Sequence, residues 1–251
     1  MLRFAVIGPG RAGRSFLGAL EQRGATCAAV IGRLDDPRDL DASLDLVIIA
    51  VPDSIIGDVA QRVPVGPLVV HLSGATGLDV LLQRHARCGS IHPLISLSDP
   101  TTGAQALSSG ASLAIAAPTP ELLAEVHAVA DLLDAHSFVV DDRQRTSYHA
   151  TASIAANHLV ALCAQVERLA ERDRLPITPF LDMMRGVLDN VEANGTAASL
   201  TGPVARGDWE TVRAHLDAIG DRERPLYLAL AAACAEVADR TLPPDLLEAR
   251  P

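Results

Sequence analysis

A chain of 251 residues, 49% apolar and 21% charged, can bury one large core or two modest ones, which excludes a largely disordered protein. A net charge of −10 argues against a general nucleic-acid surface, and apolar runs such as Leu46–Pro52 stop far short of a membrane span. All 21 basic residues are arginine, so lysine Schiff-base and lysine acid–base chemistry are excluded, and any anion site must use the planar guanidinium fork.

The first half alternates short apolar runs with helical stretches. Strands are expected at Arg3–Ile7, Thr26–Gly32, Leu46–Val51, Leu68–His71, Cys88–His92, Ala111–Ala116 and Ser137–Val140. Helical patterns fall between most of them, at Arg11–Arg23, Ser54–Arg62, Leu78–His85 and Pro120–Ala135. Near-continuous apolar strands separated by helices predict an α/β fold: a doubly wound, mostly parallel Rossmann sheet covered on both faces. Beyond Asp142 the pattern becomes all-helical. Arg143–Arg172 reads as one long helix without internal Gly or Pro, and Pro176 and Pro179 open another that runs to about Asn194. Asp208 is placed to cap Trp209–Ile219, and Pro225 opens a last alanine-rich helix. The expected domains are therefore 1–142, a dinucleotide-binding sheet, and 143–251, a helical substrate and dimerisation domain.

Gly8-Pro9-Gly10-Arg11-Ala12-Gly13 follows the first strand and opens the first helix. Gly8 permits the tight turn, Gly10 lets a pyrophosphate approach the backbone, and Gly13 lets helix and strand pack closely. The helix N-terminus offers free N–H groups and positive potential to the phosphates. The second strand ends at Val30-Ile31-Gly32-Arg33, with no acid at the tip to hold ribose hydroxyls. Arg33 can instead pair with a 2′-phosphate, which favours NADP(H) over NAD(H); Asp35 and Asp36 just beyond leave the choice open.

Polar groups gather at the ends of the next strands: Val51-Pro52-Asp53, His71-Leu72-Ser73-Gly74 and Ser90-Ile91-His92-Pro93. Ligands bind at the carboxyl edge of such sheets, so His92 is a candidate functional group with Ser73 beside it. On the long helix His149, Ser153 and Asn157 recur every four residues and would line one face, with Tyr148 and His158 flanking them. In Thr201–Asp208, Gly and Pro impose a sharp turn, and Arg206 is placed either to clamp a substrate carboxylate or to sit on the surface beside a capping Asp208. Cys27, Cys88, Cys163 and Cys234 form no CxxC or Cys/His cluster, so free thiols are expected and no metal site. The start of the chain has no secretory layout, and a soluble cytoplasmic protein without membrane attachment is expected.

Taken together, the Gly8–Gly13 loop, Ala50–Asp53, His71–Ala75, His92–Leu94, Tyr148–Asn157 and Leu200–Asp208 resemble the 6-phosphogluconate dehydrogenase-like superfamily, and within it the Rossmann-like plus DUF2520 family. Some members of that family look like an alternative type of ketopantoate reductase, which makes pantoate for coenzyme A synthesis; many others have no assigned reaction. Many superfamily relatives carry a Lys-x-x-x-Asn pair on the long helix, which corresponds here to Ser153-x-x-x-Asn157. The catalytic lysine is therefore absent. The resemblance leaves two candidate proton donors: His149, one turn earlier, and His92, whose His-Pro setting is similar to prephenate dehydrogenases, where a histidine works with a serine matched here by Ser73.

These expectations define an NADPH-dependent reductase of a small 2-oxo acid, with 2-dehydropantoate (ketopantoate) as lead substrate. Gly8–Gly13, Arg33, Val51, Pro52 and Ser73 would hold the cofactor. Catalysis would fall to His92, His149, Ser153, Asn157 and Ser73, and substrate binding to Asn157, Thr201 and Arg206. The alternatives are prephenate or arogenate oxidation, pyrroline-5-carboxylate-like imine reduction, or a non-catalytic NADP(H) sensor. The apolar excess of the C-terminal helices, as in relatives, points to a homodimer built through them.

Overall fold

The structure is a computed structural model and describes residues 1–248. In β1 (Arg3–Ile7), Phe4 and Val6 face one core while Ala5 and Ile7 face another, and all four are buried. The same split recurs in β3 (Leu46–Ile49), whose Leu46 and Ile48 join the first core and Val47 and Ile49 the second. A strand dry on both faces needs helices on each side, as the apolar runs imply. With β2 (Thr26–Ile31), β4 (Leu68–His71), β5 (Cys88–Pro93), β6 (Ser112–Ala116) and β7 (His136–Val139), the sheet has seven strands in the order β2-β1-β3-β4-β5-β6-β7.

All seven strands lie where the sequence predicts them, and one pairing departs from a wholly parallel sheet. β6 runs antiparallel to β5, with His92 opposite Ala114, and β7 is parallel to β6. The link between β5 and β6 holds a helix the sequence reading did not assign, α4 (Pro100–Leu107), capped by the Asp99 carboxylate, which accepts from Thr101 and Thr102 N–H. Its Thr-Thr-Gly start hides the helical pattern. Gly103 matters to its packing on α1 (Arg11–Gln22): a Cβ there would lie 2.3 Å from Ser15 Oγ. The other helices around the sheet are α2 (Ile56–Ala60), α3 (Asp79–Leu82), α5 (Pro120–Leu132) and α6 (Arg145–Ser153).

The chain divides into two compact units after Ala156, whereas the sequence places the division at Asp142. The physical reason is Arg145. Its side chain is almost wholly buried, and it donates to Ser90 on β5 and to Asp142, so α6 belongs with the sheet. The second unit contains α7 (Leu159–Arg172), α8 (Thr178–Asn194), α9 (Thr196–Ser199), α10 (Pro203–Arg206), α11 (Trp209–Ile219), α12 (Arg224–Val237) and α13 (Pro244–Glu248). Its core joins Val204, Val212, Leu216 and Leu228 to alanines of α12. Among the described residues no helix is long and apolar enough to cross a membrane.

Candidate active site

The glycine loop has the form its sequence predicts. Gly8 has φ +92°, and a Cβ there would sit 2.4 Å from the Ala50 carbonyl oxygen; one on Gly13 would sit 2.2 Å from the Gly8 oxygen. Both glycines are demanded by the backbone itself. Gly10 is different, because no atom of the described residues beyond its chain neighbours and its own helix lies within 4 Å of where its Cβ would stand. That open space borders the start of α1, whose first turn contains no acidic residue and no side-chain cap. The N–H groups there are free to meet an anion. A cleft of about 630 Å³ runs from Gly8, Pro9 and Gly10 to Gly32 and Arg33 on one side and to Val51 and Pro52 on the other. Arg11 is exposed and Ala12 half-buried at the helix mouth. The cradle therefore fits the pyrophosphate of a dinucleotide.

Arg33 is exposed and makes no ion pair among the described residues. Asp35 also lines the cleft, and its Oδ2 accepts from Gly32 N–H at 2.7 Å. Its carboxylate is thus occupied in fixing the strand tip, while the guanidinium of Arg33 is not committed.

Pro52 lines the cleft, and the next residue, Asp53, opens a second cluster. The Ser73 hydroxyl donates to Asp53 Oδ2 at 2.7 Å and lies 2.9 Å from Thr76 Oγ1. Ala75 and Thr76 N–H groups donate back to Ser73 Oγ at 3.2 and 2.9 Å. With its one proton on Asp53, Ser73 organises the loop after β4 and has none left to orient a substrate. Ser73 N–H donates to Nδ1 of His71, a fully buried ring whose Nε2 has no hydrogen-bond partner among the described residues. Burial, then the positive charge of Arg145, pushes the His71 pKa down to about 4.

His92 and His149 close on Gly74 from two elements. Their ring centroids are 5.9 Å apart, and a Cβ on Gly74 would lie 2.8 Å from His149 Nδ1 and 2.8 Å from His92 Cε1. His92 Nδ1 is hydrogen-bonded to the Tyr148 hydroxyl at 2.6 Å. Burial, His149 and Arg145 push the His92 pKa down to about 4, so the ring is neutral at pH 7. Burial raises the Tyr148 phenol to about 12. The Nδ1 atom of His149 is buried without a hydrogen-bond partner among the described residues.

The structure thus brings Ser73, His92 and His149 together and adds Asp53, Tyr148 and Arg145, to which the sequence reading gave no role. A signal for Arg145 existed: it stands four residues before His149 and shares its helix face. The predicted stripe does not run on unchanged to Asn157. A π-helical turn, Ile154–His158, begins directly after Ser153, so the four-residue spacing no longer keeps Asn157 in line. Ser153 is half-buried in the first unit and Asn157 exposed in the second.

Thr201 and Arg206 also lie in the second unit, and both are exposed. Their segment is a turn device: Gly202 and Gly207 have φ +97° and +72° on either side of α10, and Asp208 caps α11 through Thr211 N–H at 3.2 Å. The four cysteines are free thiols.

Residues 111–234 match the family model of a domain of unknown function, DUF2520. No curated protein matches the chain. Among solved structures, a Bacteroides fragilis protein provisionally described as an NADP oxidoreductase superposes with a TM-score of 0.80 at 20% identity, covering 94% of this chain and 98% of that one. A Thermotoga maritima protein gives 0.69 at 26% identity, with the same 94% and 98% coverage. Plasmodium falciparum pyrroline carboxylate reductase, solved with NADP bound, gives 0.63 at 9% identity, again over 94% and 98%. The chain is a Rossmann-like protein that carries the DUF2520 domain across residues 111–234.

Proposed function

We propose that the chain is an NADPH-dependent reductase of a small 2-oxo acid, with 2-dehydropantoate the first substrate to test and pantoate its product. The observation that carries this reading is the uncapped glycine cradle opening onto uncommitted Arg33, with Pro52–Asp53 leading directly to the His92 cluster. The N–H groups at Gly10, Arg11 and Ala12 would bind the pyrophosphate, and Arg33 the 2′-phosphate. The bound nicotinamide would supply hydride to the substrate carbonyl carbon. Charge then develops on the carbonyl oxygen, and a donor there stabilises it. With no lysine in the chain, His92 is the group we assign to that oxygen. In the helical unit, Arg206 is exposed and makes no ion pair among the described residues, and its guanidinium would suit a carboxylate.

Imine reduction is the second reading. It is supported by the similarity to a pyrroline carboxylate reductase across 94% of the chain. We also propose a homodimer through the helical unit. The 17-residue helix α8 has no buried residue, and Met183, Val187 and Leu188 on it are 63%, 48% and 54% exposed. Loss of NADPH absorbance with a panel of 2-oxo acids and cyclic imines, run beside NADH, tests the reaction. Binding of NADPH without turnover of any member would leave a sensor. Sedimentation giving a monomer at micromolar concentration would refute the dimer.

A further inference from the structure

The Tyr148 hydroxyl and His92 Nδ1 are close enough, at 2.6 Å, for a strong hydrogen bond, and chemistry decides its direction. A phenol is a better donor than a neutral imidazole N–H, and an imidazole nitrogen is a better acceptor than a phenol oxygen. Tyr148 therefore donates to Nδ1, and the ring proton sits on Nε2. That atom makes no hydrogen bond among the described residues, and it faces Gly74 so closely that a Cβ there would lie 2.9 Å from it, so only a glycine fits at that edge of the ring. The edge of Phe138 against the Tyr148 ring, with centroids 6.2 Å apart, holds the phenol in place.

The electrostatics exclude the simpler alternative. A histidine pushed down to about 4 holds almost no imidazolium at pH 7, so it has no spare proton of its own to give. The groups that face it are His149, Arg145 and Asp53, besides Tyr148 itself. Of the charged ones, Arg145 opposes protonation and Asp53 favours it, and the balance lies with the neutral ring.

Resting on the reductase reading above, we infer that Tyr148 and His92 form a proton relay in which the Tyr148 phenol, acting through the His92 ring, is the source of the proton delivered to the substrate oxygen. As the alkoxide forms, the His92 Nε2–H bond breaks and an O–H bond forms on the substrate. The Tyr148 O–H bond breaks, and a new N–H bond forms at Nδ1. The imidazole changes tautomer without net charge change, and the negative charge moves from the alkoxide to a tyrosinate. The Nδ1 proton then returns to the tyrosinate oxygen, and water gives Nε2 a new proton and leaves as hydroxide, which restores the starting tautomer. His92 is the catalytic residue; Tyr148 acts through it as the positioning and proton-supplying residue.

The full-length chain, its Tyr148→Phe variant and its His92→Gln variant test the relay. ¹⁵N NMR of the histidines should show His92 with its proton on Nε2 in the parent and a loss of that bias in Tyr148→Phe. With the substrate that the panel identifies, Tyr148→Phe should lower kcat about a hundredfold, within the usual range for general acid catalysis, while NADPH affinity stays within twofold. The parent's kcat should be level between about pH 6 and 9, because the relay needs a neutral ring and a protonated phenol; an imidazolium donor would lose tenfold per pH unit across that range. His92 carrying its proton on Nδ1, or Tyr148→Phe retaining kcat within twofold, overturns the relay while leaving the reductase reading intact. A parent that binds NADPH and reduces nothing in the panel removes the reductase reading, and the relay with it.

Discussion

Arg145 on α6 donates through its guanidinium to the Ser90 hydroxyl on β5, and the two residues are only 3% and 1% exposed. A buried guanidinium between a serine and the half-exposed Asp142 carboxylate fastens the start of α6 to the sheet and sets a positive charge near both His71 and His92. Replacing it leaves Ser90 without that donor and a cavity beside it. Arg145→Met should cost about 2–4 kcal/mol of stability, read from urea denaturation. The His92 pKa should rise in the same variant, because a positive neighbour has gone, and NMR titration would show it. An unchanged midpoint would mean that the guanidinium does not hold α6.

Arg33→Ala separates the two cofactors. Loss of a charge-assisted contact to the 2′-phosphate should weaken NADPH binding by about 1.5–3 kcal/mol, or tenfold to a hundredfold, and leave NADH nearly unchanged. Fluorescence titration of both cofactors measures the difference. Equal losses would show that Arg33 does not read the phosphate.

Two glycines in one loop should behave in opposite ways. Gly13→Ala drives a methyl to 2.2 Å from the Gly8 oxygen and should destabilise the fold itself. Gly10→Ala meets nothing within 4 Å, so its melting temperature should stay near the parent's, while the added methyl occupies the space a pyrophosphate needs. Thermal melts beside NADPH titrations would reveal the split. A Gly10→Ala variant with parental affinity would argue against a phosphate at that position.

Acid should weaken the sheet unit before its carboxylates titrate. His71 and His92 are each held down to about 4, whereas unfolded histidines titrate near about 6.5. Between those values the unfolded chain binds more protons than the folded one. The stability contributed by the neutral rings is therefore complete above about pH 6.5 and is lost as pH falls toward 4. Each ring adds a slope of up to about 1.4 kcal/mol per pH unit in that window. Urea midpoints at pH 7 and pH 5 should differ accordingly, and less so in His71→Gln if that variant folds. Equal parental midpoints would show that the rings titrate normally.

Local physics made much of this chain legible from its residues alone. A buried strand must be apolar on both faces, so β1, β3 and β4 are visible as short apolar runs, and the glycines of the first turn are required by backbone clashes among near neighbours. Caps and turns such as Asp208 and Gly220 act over a few residues and were equally readable. The absence of lysine, which leaves proton donation to other side chains, is a property of composition.

What only the tertiary structure decided depends on residues far apart in the chain. The direction of β6 follows from pairing with β5 across an intervening helix, which no local pattern encodes. The Ser73 hydroxyl donates to Asp53, 20 positions earlier, a partner that only folding supplies. Tyr148 lies 56 positions from His92, and its phenol gains a role only because β5 and α6 bring the two rings together. Periodicity reports which face of an element is buried; it does not report which polar groups meet there, because hydrogen-bond partners are chosen by the packing of whole elements.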